Sequence, residues 1–160
     1  MITKTYDETI EAAALHIAES KRKTYSAFEN SHIERVRLNE IAKLSFFDAM
    51  RDENMRFSNA DIDIHVVKSC YPVPLNGNWT FGYDTNFNIS KKYTVVCRLD
   101  ETKNLITFYG WIPMEDIKRH PIINYHPNAR HNFTRTVYDI KYNELNQDFG
   151  ALWENCSNNM

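Results

Sequence analysis

The sequence has few of the residues that mark linkers, fibres and cross-linked scaffolds. Only 4 glycines and 5 prolines occur among its 160 residues, which excludes a collagen-like or linker-like polymer. Its 3 cysteines, Cys70, Cys97 and Cys156, are odd in number and widely spaced, with no CxxC pair. That pattern argues against a disulfide framework or a thiolate zinc site, and points to a reducing, cytoplasmic setting. Charge of one sign is missing too: 19 basic and 21 acidic side chains leave a formal charge of −2. A polycation that coats nucleic acid is thereby excluded, although a local basic face is not. No apolar run approaches the ~18 residues of a membrane span, and the first residues lack the apolar core of a signal peptide, so no membrane partner is expected. Neither GxGxxG nor GxxxxGK[ST] occurs, so a nucleotide cofactor is not expected either.

What remains is apolar and aromatic surface in quantity, with 42% hydrophobic and 13% aromatic residues. That is enough to offset ordering entropy, and a chain of this length is expected to form a single domain over 1–160. Asp7 to about Lys23 reads as a helix with a narrow, alanine-rich stripe of Ile10, Ala13 or Ala14, and Ile17. This N-terminal segment, 1–28, is expected to be peripheral. Ser31 followed by Glu34 has capping-box spacing, which predicts a second helix from His32 to Asp52. Val36, Phe47, Ile33, Leu44 and Met50 fall in one arc of that helix, and Glu40 sits inside it.

Residues 61–68 alternate strictly. Ile62, Ile64 and Val66 share one parity, Asp61, Asp63 and His65 the other, and Lys68 continues the apolar parity. Two runs, Tyr93–Leu99 and Leu105–Trp111, flank the turn 100–104 and predict a hairpin. Asn76-Gly77 marks a turn into Trp79-Thr80-Phe81. Pro113 opens a short helix, 124–132 reads as a loop, 134–142 as a strand, and 150–160 as a polar tail. The order implies an α+β fold, a mixed and mostly antiparallel sheet flanked by helices.

Two constellations carry chemistry. Glu40 and Lys68 each interrupt an apolar pattern, and an unpaired buried charge costs several kcal/mol. If the helix packs on the strand, Glu40, Asp61 and Asp63 could converge on one divalent cation beside Lys68. The plainer alternative makes Asp61, Asp63 and His65 the solvated side of a half-buried strand. Glu40 would then be an ion-paired core residue matched to Lys43, Arg37 or Lys68. The second constellation is the acid-free window 117–138, with Lys118, Arg119, Arg130 and Arg135, three histidines, and the rings Tyr125 and Phe133. Such a mixture could hold phosphates and stack bases, or form a solvated surface loop.

The order Leu38-Asn39-Glu40, then Asp61 or Asp63 with Val66-Val67-Lys68, a hairpin, Gly110-Trp111-Ile112-Pro113 and Tyr138-Asp139-Ile140 resembles the PD-(D/E)XK (restriction-endonuclease-like) nuclease family over about residues 33–145. The resemblance implies a metal-dependent endonuclease that hydrolyses DNA phosphodiesters. Glu40, Asp61 and Asp63 would hold Mg²⁺ or Mn²⁺, and Lys68 would activate water or steady the phosphate. Lys118, Arg119, Arg130 and Arg135 would touch DNA, and two copies would dimerise to address both strands. The family's acid two residues before the lysine is Val66 in this chain. That departure leaves a second implied reading, a catalytically inactive module that keeps the fold and binds nucleic acid or protein.

Overall fold

The computed structural model describes residues 1–24, 30–67, 72–75, 77–85, 91–125 and 135–157. Its elements run in the order β1 (Ile2–Thr5), α1 (Glu8–Thr24), α2 (Asn30–Asp52), β2 (Ile62–Val66), β3 (Thr80–Asp84), β4 (Tyr93–Asp100) and β5 (Leu105–Pro113). There follow α3 (Met114–Ile117), β6 (Ile122–Tyr125), β7 (Arg135–Lys141), a 3-10 turn over Tyr142–Glu144, and α4 (Phe149–Ser157). The class is α+β, as the element pattern implies.

A mixed four-stranded sheet, ordered β1-β5-β4-β2, forms the middle layer. β2 runs parallel to β4, while β1 and β4 run antiparallel to β5. The run Thr94–Arg98 is buried throughout because both faces of the sheet are covered. Val95, Cys97, Ile106, Phe108 and Trp111 face α2 and α4 together with Ala42, Phe46, Ala49 and Leu152. On the other face, Val96, Tyr109 and Ile112 pack with Phe81, Tyr83 and Ile140 of a second sheet, ordered β3-β7-β6.

A bulge sets this division of side chains. Val96 pairs with Gly110 and Cys97 with Phe108, so Tyr109 is the extra residue. Phe108 and Trp111, three apart, therefore both face the helices, while Tyr109 and Ile112 both face the second sheet. Gly110 occupies the bulge because the chain crosses over it: Trp111 and Asn146 exchange backbone hydrogen bonds of 2.9 Å in both directions.

Several sequence expectations are corrected. The N-terminal segment is not merely peripheral: Ile2–Thr5 adds a strand to the central sheet, and Tyr6, Ala14 and Ala18 are buried. Asp7 Oδ1 accepts from the Ile10 amide at 3.0 Å and so caps α1. Residues 149–157 are not a polar tail but a helix whose Phe149, Leu152 and Cys156 are buried at i, i+3, i+7 spacing. Asp148 caps it through the Ala151 amide at 3.1 Å. Pro113 closes β5 and precedes α3, and the second sheet contains a strand, β6, within a stretch that reads partly as loop.

Candidate functional site

The helix face that meets the sheet decides the position of Glu40. Ala42, Phe46, Ala49 and Met50 belong to the core under the sheet. At ~100° per residue Glu40 lies about 135° around α2 from the centre of that group. It faces α1 instead, where it is 8% exposed and receives Lys21 Nζ at 3.4 Å. The buried charge that breaks the apolar arc is thus balanced by a lysine of the neighbouring helix. Among the described residues neither Lys43 nor Arg37 is ion-paired to it, and Lys68 lies outside them. Arg37 is instead held by Glu11, Glu34 and Glu101 at 3.4, 3.0 and 2.5 Å.

Asp61 and Asp63 share a parity but not an environment. Asp61 precedes β2 in a turn closed by its own amide on Ser58 O at 3.3 Å, and its carbonyl accepts from the amides of Lys92 and Tyr93. Its carboxylate stands 4.0 Å from Lys92 Nζ and acts electrostatically on Tyr93 and on Cys156 of α4. Burial, aided by that charge, pushes the Cys156 thiol up to about 11. Asp63 lies within β2, opposite Thr94, and faces the second sheet. Tyr83 of β3 donates its hydroxyl to Asp63 Oδ2 at 2.7 Å.

The surroundings of Asp63 form the most chemically distinctive cluster of the chain. Burial holds its carboxyl above the usual carboxylate range, opposed by the Tyr83 hydrogen bond and the positive charges of Lys91 and Lys43. Burial and the adjacent carboxylate in turn raise Tyr83 well above an ordinary phenol. The His65 ring lies 4.9 Å from that of Tyr83 and 5.6 Å from that of Phe81. Thr94, fully buried, directs its hydroxyl at Met114 Sδ 3.9 Å away. By strand alternation Arg98 points to the same side as Thr94 and Val96, and it too is buried. Its signal in the sequence is a cation inside the apolar run of β4.

The three acids therefore reach three separate places: α1, the α4 side of the sheet, and the gap between the sheets. Among the described residues no group of three or more His, Cys, Asp or Glu side chains could hold a metal ion. Glu40, Asp61 and Asp63 do not form such a group. Lys68, Arg130 and the side chain of Arg135 lie outside the described residues.

The window 117–138 also changes in three dimensions. Lys118 is exposed, but Arg119 Nη1 pairs with Asp116 at 3.1 Å. His120 Nδ1 sits 2.8 Å from the Asp116 carbonyl, and its Nε2 meets the Glu144 carboxylate. Asp116, just before the window, thus offsets Arg119, and Glu144 of the 3-10 turn gives His120 a hydrogen-bond partner. The chain matches no protein-family model, no curated protein sequence and no solved structure.

One stability consequence follows from Asp63. A carboxyl whose folded pKa is raised favours folding in its neutral form. Its contribution is present below the unfolded pKa and is lost as pH rises through the folded one. Asp63→Asn, which removes the charge and keeps an acceptor for Tyr83, is expected to raise the melting temperature at pH 7. The gain should vanish below the ordinary carboxylate range, as thermal melts at pH 7 and at about pH 3 will show.

Proposed function

We propose that this chain is a DNA-binding module that engages backbone phosphates at the outer strand β2 and does not hydrolyse them. The observation that carries this reading is the arrangement of charge around Asp63. Lys43 and Lys91 act electrostatically on its carboxylate, Lys91 Nζ donates to Asn59 O at 2.5 Å, and Lys92, 4.0 Å from Asp61, is 57% exposed. Three lysines beside Asp61 and Asp63, in a chain with formal charge −2, provide a local electrostatic footprint for polyanions. Separation of the acids, each with a protein partner of its own, and Val66 at the position of the missing acid both favour binding over hydrolysis.

The test is duplex binding by fluorescence anisotropy at 50 and 200 mM salt, alongside incubation of supercoiled plasmid with Mg²⁺ or Mn²⁺. Expected are salt-sensitive binding and no nicking. Replacement of Lys43, Lys91 and Lys92 by alanine should weaken binding by at least about tenfold and flatten the salt slope by about 2 to 3. Absence of binding, or binding indifferent to the triple variant, would overturn the proposal. Metal-dependent nicking lost in Asp63→Asn would instead establish the endonuclease reading.

A further inference from the structure

A cleft elsewhere in the fold shares no residue with the Asp63 cluster. The C-terminal part of α2, the loop after it and the outer side of α4 enclose an open cleft of about 560 Å³, lined by Asp48, Arg51, Asp52, Asn54, Arg56, Trp153 and Ser157. Its volume is within the range of small-molecule sites.

The charge in this cleft is less balanced than its composition implies. Lys4 of β1, partly buried, reaches Asp48 at 2.6 Å and Asp52 at 3.2 Å, so one cation is shared by two acids whose side chains are 42% and 73% exposed. Arg51 lies only within 3.7 Å of Asp48 and is 60% exposed. Arg56 is exposed and forms no ion pair among the described residues. The carbonyls that end α2, which would repel an anion, are partly occupied: Met50 O accepts from Met55 and Glu53, and Arg51 O from Asn54. Asn54 makes this tight exit possible with φ of 58°. Arg51, Arg56 and Trp153 thus line one space of ligand size.

We infer that this cleft binds a phosphomonoester that carries a planar heterocycle, with Arg51 and Arg56 on the phosphate and Trp153 stacked on the ring. Guanidinium forks match phosphate oxygens in pairs, and an indole face supports a base without reading its edges. No glycine-rich loop is needed, because the donors are side chains. The same chemistry occurs in a free nucleotide and in the terminal nucleotide of a strand.

Calorimetric titration of the intact protein with adenosine 5′-monophosphate, adenosine and inorganic phosphate tests the inference. The monophosphate should bind saturably, and each half alone at least about tenfold more weakly, since either loses about 1.4 kcal/mol or more of contact. Arg56→Ala and Trp153→Leu should each weaken the monophosphate about tenfold at unchanged melting temperature, and Trp153→Phe should restore most of the loss. Competition by a 5′-phosphorylated oligonucleotide, but not by its 5′-hydroxyl form, would support a strand terminus; binding of the monophosphate without such competition would support the free nucleotide. No saturable binding of the monophosphate, or binding untouched by both variants, would overturn the inference.

Discussion

Gly110→Ala is expected to destabilise the fold by about 2–4 kcal/mol, a large part of the margin of a domain this size. A Cβ at this position would stand 2.6 Å from Asn146 O and 2.9 Å from Leu145 Cβ, while φ of 158° is already unusual for a residue with a side chain. The obstructing oxygen belongs to backbone paired with Trp111, so it can retreat only by breaking the bridge that seats the chain entering α4. Gly82→Ala is the matched control. Its new Cβ would approach Val137 Cγ2 at 3.0 Å, a side-chain methyl that can shift, so a cost of about 1 kcal/mol or less is expected. Urea unfolding of both variants, compared at equal m-value, measures the difference. Equal losses at the two positions would show that the crossing over β5 is not rigid.

That crossing also marks where the sequence stops being readable. The alternation of β2, the β4–β5 hairpin and the helix before it are local patterns, and the structure contains them. The turn at 101–104 even ends on Asn104 at φ of 49°, a conformation that asparagine tolerates. β1 and β6 are four residues each, too short for periodicity to register, and exist because longer strands pair with them. α4 had a legible spacing in Phe149, Leu152 and Cys156, but the polar residues after it obscured its end. For the site, the burial of Glu40 was legible because a carboxylate interrupted an apolar arc. Its partner was not, since Lys21 lies on another helix and only the packing of α1 on α2 brings them together. Alternation alone puts Asp61 and Asp63 on one face. Asp61 belongs to the preceding turn, where strand parity no longer governs direction.

Phe46→Ala is the second change with a large expected effect, about 3–5 kcal/mol. Phe46 is fully buried at the point where α2, the loop before β2, β5 and α4 meet. Its ring centroid is 5.4 Å from that of Phe57, 5.5 Å from Phe108, 5.8 Å from Phe47 and 5.9 Å from Phe149. The contacts with Phe108 and Phe47 are edge-to-face, a geometry worth ~0.5–1.5 kcal/mol per pair beyond the area buried. Truncation would leave a cavity walled by three further elements of the helix-side core, which cannot all collapse into it at once. Phe46→Leu keeps most of the volume, so a smaller loss of about 1–1.5 kcal/mol is expected. Because α4 is joined to the sheet through this ring cluster, hydrogen exchange should show the Leu152–Cys156 amides losing protection before those of β4 in Phe46→Ala. A loss no greater for Phe46→Ala than for Phe46→Leu would mean that the aromatic cluster does not bind the helices to the central sheet.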